Sequence, residues 1–259
     1  MRQNATPLAL ELKDLRKSFG KTDIVRGISM AVQPGERIGI IGPNGAGKST
    51  LFNLISGRFA PDSGQILLNG GRVDGKKPFE INRMGLSRSF QVSNLFPNLS
   101  VFENLRCGVL WSLGYKYTFL KFLVDLDDAR DRVEALLATL HLDRQRDTLA
   151  MHLSYAEQRA LEVGITIASG ASVILLDEPT AGMSQSETSR FVHLIRAATE
   201  GKTLLMVEHD MGVVFRLADR IAVLVYGELL AFDTPDAVRA NARVQEAYLG
   251  APAQQAGLL

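Results

Sequence analysis

Nine short stretches of the chain have the hydrophobic pattern of β-strands. The first two alternate apolar and polar positions, as half-buried strands do, whereas the runs before Gly42, Asp177 and Glu208 are apolar at almost every position. Uniformly apolar runs are typical of parallel strands that are covered on both faces. The predicted strands are residues 8–19, 24–32, 37–41, 64–69, 85–91, 173–176, 203–207, 221–225 and 228–232.

Between these strands, apolar positions recur every three or four residues, which predicts amphipathic helices. Two helix starts are marked by capping boxes, in which a serine is followed three positions later by a glutamate: Ser154 with Glu157, and Ser184 with Glu187. The alternation of strands and helices predicts one compact α/β domain with a subsidiary lobe. The expected helices are residues 48–57, 127–140, 154–167, 184–199, 235–240 and 244–249.

Composition narrows the class of protein. The chain has 259 residues, 46% of them apolar, so it can bury a substantial core. Its net charge is +1 with basic and acidic residues mixed, which argues against nucleic acid as a partner. The single cysteine, Cys107, excludes an internal disulfide and fits a reducing compartment.

No stretch of the sequence has the character of a membrane span. The most apolar segment, residues 107–126, is interrupted by Lys116, Lys121 and Asp125, whereas a spanning helix needs about 20 nearly uncharged residues. The first ten residues also lack the basic region and apolar core of a signal peptide. We therefore expect a cytoplasmic protein, or one that reaches a membrane only through a partner.

A glycine-rich segment between an apolar strand and a helical pattern matches the phosphate-binding P-loop template in the structural context that this template requires. Glycines allow a tight turn with inward-facing N–H groups, and the following helix adds its positive N-terminal dipole. We expect Lys48 to reach the β- and γ-phosphates and the Ser49 hydroxyl to join a Mg²⁺ shell. The segment reads Gly42, Pro43, Asn44, Gly45, Ala46, Gly47, Lys48, Ser49 and Thr50.

Polar residues follow two of the buried strands. Asp177 and Glu178 end one, and His209 follows another, at the carboxyl edge where open α/β sheets hold ligands. Buried carboxylates need a compensating cation, so Asp177 is a candidate metal ligand, and Glu178 is a candidate to face water. The alternative is that both carboxylates only cap the next helix. Phe19, just before Gly20, is either a platform for a nucleobase or a core aromatic.

Aromatic residues are concentrated in residues 90–122, which contain eight of the eighteen in the chain. This density fits a small helical core, and it fits equally a surface that receives another protein, because aromatic side chains are favoured at interface centres.

Taken together and in this order, Lys48, Gln91, the segment from Ser154, Asp177-Glu178 and His209 resemble the nucleotide-binding subunit of an ABC transporter. The resemblance implies a P-loop NTPase core with an antiparallel β subdomain and an inserted α-helical subdomain. It covers residues 8–250, with the helical subdomain at approximately 92–168, and leaves residues 251–259 as a tail that we expect to be disordered.

Finer similarity is to the ATPase subunits of branched-chain amino acid importers. It rests on residues 90–91, 94–105, 208–211 and 246–250, and on the long helical insertion. Urea importer ATPases and the lipopolysaccharide-export ATPase are similar over the same stretches, so the transported substrate stays open.

The family's site residues then transfer by position, as implications of the resemblance. Hydrolysis would use Glu178 to polarise water, His209 to contact the γ-phosphate, and Lys48. Mg²⁺ would be held by Ser49, Gln91 and Asp177. ATP would be bound by Phe19, which stacks on adenine, and by Gly42, Pro43, Asn44, Gly45, Ala46, Gly47, Lys48, Ser49, Thr50 and Gln91. A partner's ATP would meet the signature residues Ser154, Tyr155, Ala156 and Glu157.

Partners follow from the same resemblance. Two such subunits enclose two ATP molecules head to tail, and separate permease subunits dock near Gln91 and the aromatic-rich segment. An external solute-binding protein would act indirectly, as part of an importer. The expected location is the cytoplasmic face of the inner membrane, held there peripherally.

The signature segment departs from the family's usual Leu-Ser-Gly-Gly-Gln. Ala156 adds a methyl group and Glu157 adds a negative charge at a helix N-terminus that should bind an anion, a charge worth about 0.3–1 kcal/mol there. Glu157 either folds back onto Ser154 as a capping box or points at the nucleotide and repels it. The second subunit could be a copy of this chain or a different one, and this departure favours a heterodimer, in which the other subunit carries the better signature.

Two other classes of protein are weighed against the transporter subunit. A non-transport ATPase of translation or DNA repair would usually carry two nucleotide domains, a long coiled coil or basic extensions, and this chain has none of these. A regulator without turnover is suggested by Glu157, but Lys48, Asp177, Glu178 and His209 argue against it.

Overall fold

The computed structural model describes residues 7–89, 95–114 and 127–249. Its centre is a six-stranded sheet with the order β10-β9-β3-β8-β7-β6. Neighbouring strands are parallel except β9 and β10, which form an antiparallel hairpin. The strands are β3 (Arg37–Ile41), β6 (Leu86–Arg88), β7 (Val173–Asp177), β8 (Thr203–Val207), β9 (Arg220–Val225) and β10 (Glu228–Asp233).

A second, antiparallel sheet has the order β2-β1-β4-β5. Its position next to the main sheet is fixed at the hairpin turn, where the Arg26 N–H donates to the Gly227 carbonyl at 2.8 Å. The strands are β1 (Leu10–Phe19), β2 (Thr22–Val32), β4 (Ser63–Leu68) and β5 (Gly71–Arg72).

Helices cover the sheet and extend to one side of it. Two short 3₁₀ turns, Asp143–Gln145 and Ala150–His152, lie between the fourth and fifth helices. The helices are α1 (Lys48–Ile55), α2 (Pro78–Arg83), α3 (Val101–Ser112), α4 (Asp127–Leu140), α5 (Tyr155–Ala168), α6 (Gln185–Ala198), α7 (Met211–Leu217), α8 (Pro235–Ala240) and α9 (Ala242–Leu249).

Two hydrophobic cores lie on opposite faces of the central sheet, because successive strand residues point to opposite sides. On β7, Ile174 and Leu176 join the core with helices α3 to α7, whereas Val173 and Leu175 join the core with α1 and the antiparallel sheet. All five residues of β7 and of β8 are buried, and the apolar runs 173–176 and 204–207 predict this for four residues of each strand. A charged group buried at the end of such a strand is costly unless it finds a partner inside the protein.

The α/β fold, the final hairpin and both capping boxes are confirmed. The predicted strand at 85–91 is shorter than expected and ends at Arg88. Gln91, part of the aromatic-rich segment and the tail from residue 250 lie outside the described residues, so the bounds of the helical subdomain stay a prediction. Among the described helices, none combines the length and the hydropathy needed to cross a membrane.

Candidate functional site: a phosphate loop beside a carboxylate–histidine pair

The loop between β3 and α1 turns sharply because its three glycines, Gly42, Gly45 and Gly47, all have positive φ angles. Gly47, the N-cap of α1, has φ of 98°, and a Cβ there would lie 2.8 Å from the Ile24 carbonyl oxygen. A side chain at this position would therefore be strained by its backbone and would also collide with β2. The sequence needs glycine here to bring the loop this close to the antiparallel sheet.

No side chain among the described residues caps the start of helix α1, so the N–H groups of its first turn point to the cavity side without such a partner there. The Lys48 ammonium lies beside them and is buried, with hydrogen bonds to the carbonyl oxygens of Gly42 at 2.6 Å and Pro43 at 3.1 Å. Burial lowers the pKa of Lys48, while the negative charges of Glu178 and Asp177 oppose that shift. The start of α1 is thus a positively charged seat suited to an anion.

A cavity of about 410 Å³ opens over this seat. Phe19 forms part of its wall with 45% of its surface exposed, so the alternative that Phe19 is a core aromatic is wrong. The Phe59 ring meets the Phe19 ring edge-on, with centroids 5.3 Å apart. Together with Phe19 the cavity is lined by Ile24, Asn44, Gly45, Ala46, Gly47, Lys48, Ser49, Thr50, Glu178 and His209.

Two side chains from neighbouring strand ends meet at the far side of the cavity. Glu178 follows β7 and His209 follows β8 by one further residue, and His209 Nε2 lies 3.0 Å from Glu178 Oε1. Glu178 has a left-handed φ of 48°, which is uncommon for a residue with a side chain. The pair places a carboxylate and an imidazole within reach of whatever occupies the cavity.

Asp177 is held by a cation that the sequence pattern did not identify. Its Oδ2 accepts from the Arg88 guanidinium at 2.8 Å, and the two side chains are 1% and 7% exposed. Arg88 also donates to Asn53 at 2.7 Å and to Ser56 at 2.9 Å, both on or beside α1. Asp177 Oδ1 is buried and has no hydrogen-bond partner among the described residues.

The signature segment forms the start of α5 and is not among the described residues that line the cavity. Glu157 folds back onto Ser154: its Oε2 accepts from the Ser154 N–H at 2.8 Å and from the Ser154 hydroxyl at 2.7 Å. Tyr155 is exposed, and its hydroxyl donates to the Ala181 carbonyl at 2.7 Å while accepting from Arg159 at 3.0 Å. The first turn of α5 is therefore joined to the loop that follows Glu178.

The fold thus brings Phe19, the loop from Asn44 to Thr50, Glu178 and His209 to one cavity, with Asp177 buried behind it and Ser154 to Glu157 elsewhere. Gln91 lies outside the described residues. Sequence reasoning missed Ile24 on the cavity wall and Arg88 beside Asp177. A strand residue and an arginine two positions before the aromatic-rich segment carry no signal of such roles until the strands are assembled.

Comparisons with known proteins agree with this geometry. Residues 25–181 match the ABC transporter family, and residues 228–254 match the C-terminal segment described as branched-chain amino acid ATP-binding cassette transporter. The chain is 36% identical over 248 residues to the high-affinity branched-chain amino acid transport ATP-binding protein LivG of Escherichia coli K12, with 93% of this chain and 97% of LivG covered. It is 33% identical to the ribose import ATP-binding protein RbsA of Shigella dysenteriae, over 93% of this chain and 48% of RbsA.

Solved structures show the same architecture. The ADP conformation of MJ1267, an ATP-binding cassette of an ABC transporter, superposes with a TM-score of 0.79 at 29% identity and covers 95% of this chain and 100% of its own. The cbiO1 subunit of Clostridium perfringens superposes with a TM-score of 0.78 at 26% identity, over 95% of this chain and 96% of its own. With the P-loop, the carboxylate-histidine pair and these relatives in agreement, the chain belongs to the ATP-binding ATPase subunits of the ABC transporter family.

Proposed function

We propose that this ATPase powers the import of branched-chain amino acids, or of other small amino acids or amides. The observation that carries the proposal is the similarity to LivG, because it extends over nearly the whole of both chains. The match of residues 228–254 to the branched-chain amino acid group supports it independently of the ATP site. The similarity to RbsA keeps a sugar importer as a second candidate.

For hydrolysis we assign the base to Glu178 and its orientation to His209. A carboxylate at the cavity wall can accept a proton from water, and the imidazole 3.0 Å away limits its rotation. The Lys48 ammonium is already buried at the mouth of the loop, so phosphate oxygens would replace backbone carbonyls as its partners without a large movement of the side chain. Phe19 and Ile24 offer the apolar wall on which an adenine ring would rest.

The residues present fit a Mg²⁺ ion. The unpartnered, buried Oδ1 of Asp177 is an oxygen of the kind that Mg²⁺ prefers, and the Ser49 hydroxyl lines the cavity. One carboxylate, one hydroxyl and the substrate's own phosphates would hold the ion, as is usual for Mg²⁺ bound with a nucleotide. When bound, the ion would neutralise phosphate charge; Gln91 is the third ligand implied by the resemblance.

A second ATPase subunit would complete the site, and we propose a heterodimer. The capping box at α5 commits both the Ser154 hydroxyl and its N–H to the Glu157 carboxylate. A partner's phosphate would have to compete with that carboxylate for the same donors. This geometry supports a weak composite site at Ser154, Tyr155, Ala156 and Glu157, paired with a stronger one at this chain's own P-loop.

Permease subunits would dock at a groove between α1 and α2, beside the strand that leads to Gln91. The groove has a volume of about 390 Å³, and Phe79 on its rim is 52% exposed. An exposed aromatic beside a concave surface is a common feature of protein interfaces. Such docking would hold the chain at the cytoplasmic face of the inner membrane, with a solute-binding protein acting on the other side.

Uptake by whole cells tests the substrate. We expect a strain without this gene to lose uptake of labelled leucine, isoleucine or valine, and to regain it with the intact gene but not with Glu178→Gln. Labelled ribose and urea, and a measurement of surface lipopolysaccharide, test the other transporter classes in parallel. If amino acid uptake is unchanged and ribose uptake, urea uptake or surface lipopolysaccharide is lost instead, the proposal is wrong and the corresponding transporter class takes its place.

The weak signature is tested in the assembled complex. Ala156→Gly combined with Glu157→Gln should raise ATP hydrolysis, because a neutral amide does not repel a phosphate and holds the Ser154 donors less strongly than the carboxylate does. Glu187→Gln is the matched control, since Glu187 makes the same capping box with Ser184 at α6, at 2.9 Å and 2.6 Å. No increase, or an equal increase from the control, would contradict the proposed asymmetry.

A further inference from the structure

Beside the proposed catalytic pair lies a buried glutamate, Glu208, to which neither the motifs nor the ATP cavity assigns a role. Glu208 follows β8 directly and precedes His209. It is 4% exposed, and burial raises the pKa of its carboxyl group, although the hydrogen bonds it accepts oppose that shift. A carboxylate in such a position is costly unless its oxygens have partners.

Its hydrogen bonds join the two strand ends that carry the catalytic pair. Glu208 Oε1 accepts from the Thr180 N–H at 2.9 Å and from the Thr180 hydroxyl at 2.7 Å, and Oε2 accepts from the His209 N–H at 3.2 Å. Thr180 lies two residues after Glu178, in the loop that leaves β7. One buried carboxylate therefore spans the Glu178 loop and the His209 backbone.

Glu178 needs support of this kind because of its backbone. A left-handed φ for a residue with a side chain is maintained only where its surroundings impose it. The Glu178 N–H donates to the Val207 carbonyl at 2.9 Å, which ties the residue to the end of β8 on one side. The bonds from Thr180 to Glu208 tie it to the same strand end on the other.

We propose that Glu208 is a positioning residue for ATP hydrolysis: it holds the Thr180 loop and the His209 backbone in the arrangement that keeps the Glu178 and His209 side chains together at the cavity wall. The inference rests on the catalytic roles proposed above for Glu178 and His209. Glu208 itself does not line the described cavity. It acts on the placement of the reacting groups and not on the affinity for nucleotide.

Four variants test it in the full chain, purified with its transporter partners. Glu208→Leu removes the acceptors at similar size, and Glu208→Gln keeps an amide oxygen for Thr180. Thr180→Val removes one donor. Thr199→Val is the matched control: Thr199 is also buried and its hydroxyl also makes a 2.7 Å bond, to the Ile195 carbonyl, at the end of α6 and outside the described cavity lining.

The measurements are kcat, KM, the melting temperature and the affinity for a fluorescent ATP analogue. We expect Glu208→Leu to lower kcat about a hundredfold, the effect of misplacing reacting groups by about 1 Å, with analogue affinity changed less than about twofold. Glu208→Gln should recover most of kcat. Thr180→Val should lower kcat, and Thr199→Val should lower the melting temperature without changing kcat.

A kcat in Glu208→Leu equal to that of Thr199→Val, or a Gln variant no better than Leu, would overturn the inference. If Glu208→Leu does not fold, the comparison of Thr180→Val with Thr199→Val decides, and equal kcat values reject the positioning role. Glu178→Gln is measured alongside. If Glu178→Gln still hydrolyses ATP, both the proposed catalytic role of Glu178 and the inference about Glu208 are wrong. If Glu178→Gln loses hydrolysis but the Glu208 variants keep a normal kcat, only the inference about Glu208 is wrong.

Discussion

Replacing Arg88 with methionine should destabilise the fold far more than loss of an ordinary ion pair. Methionine fills the space of the arginine methylene groups but has no guanidinium, so the change removes the charge and the hydrogen bonds while leaving the packing of the stem. In the folded protein it would leave the Asp177 carboxylate, whose side chain is 1% exposed, without its 2.8 Å partner. It would also leave Asn53 and Ser56 without the donor that each accepts from.

The magnitude follows from the burial. Removing one member of a buried pair costs about 3–5 kcal/mol, because an uncompensated charge remains in the interior. Converting that charge to a neutral amide removes the main penalty, so Arg88→Met combined with Asp177→Asn should cost only about 1–3 kcal/mol, the penalty for unsatisfied polar groups. The single substitution should therefore be worse than the double one.

Urea unfolding followed by circular dichroism measures these free energies, with equal slopes required for a valid comparison. Arg130→Met is the matched control: Arg130 pairs with Asp127 at 2.7 Å, but the two side chains are 54% and 74% exposed. An exposed pair contributes about 0–1 kcal/mol, so this variant should be close to the parent protein. Reasoning from burial would be refuted if Arg88→Met cost no more than the control, or if the double variant were less stable than the single one.

Three further results are expected. Phe19→Ala should weaken binding of an ATP analogue about tenfold, because stacking of a base on an aromatic ring is worth about 1–3 kcal/mol. Phe19→Tyr keeps the ring and should bind the analogue within twofold of the parent protein. Equal affinities of the Ala variant and the parent protein would show that Phe19 does not contact the nucleotide. Gly47→Ala should abolish analogue binding, since its Cβ would lie 2.8 Å from the Ile24 carbonyl oxygen, and retained binding would show that the loop can move. Hydrogen bonds from Ser184 lower the pKa of Glu187, so the charged carboxylate stabilises the fold at neutral pH and this stabilisation is lost as pH falls through the lowered pKa. Glu187→Gln should therefore cost stability at pH 7 and little at pH 3. A loss of stability that does not depend on pH would contradict this.

The sequence alone indicated most of the elements of this protein and its family, although strand β5 and helices α2, α3 and α7 are not among the predicted elements. The P-loop can be recognised in the sequence because its residues are contiguous, and a strand-loop-helix segment is a local feature. The capping boxes at Ser154 and Ser184 are equally local, and both form as predicted. The uniformly apolar runs before Asp177 and Glu208 indicate buried parallel strands because no polar face is available to either.

Only the tertiary structure decided how the polar residues at the strand ends are paired. Arg88 belongs to no recognisable motif, and Asp177 and Glu208 lie far along the chain from the residues that they contact. Their partners therefore depend on which strands become neighbours. The order β8-β7-β6 places Arg88 beside Asp177 and Thr180 beside Glu208. Burial then makes those contacts consequential, because a charge removed from water must be satisfied inside the protein.

The same distinction applies to the signature segment. Its sequence left two orientations open for Glu157, since a glutamate at that position can either cap the helix or face a ligand. The fold shows the capping orientation, with the carboxylate on Ser154, and joins Tyr155 to the loop after Glu178. The capping box joins residues three positions apart, so local sequence suffices to form it, whereas Tyr155 contacts Ala181, 26 positions away, only because the fold brings the start of α5 against the loop after β7.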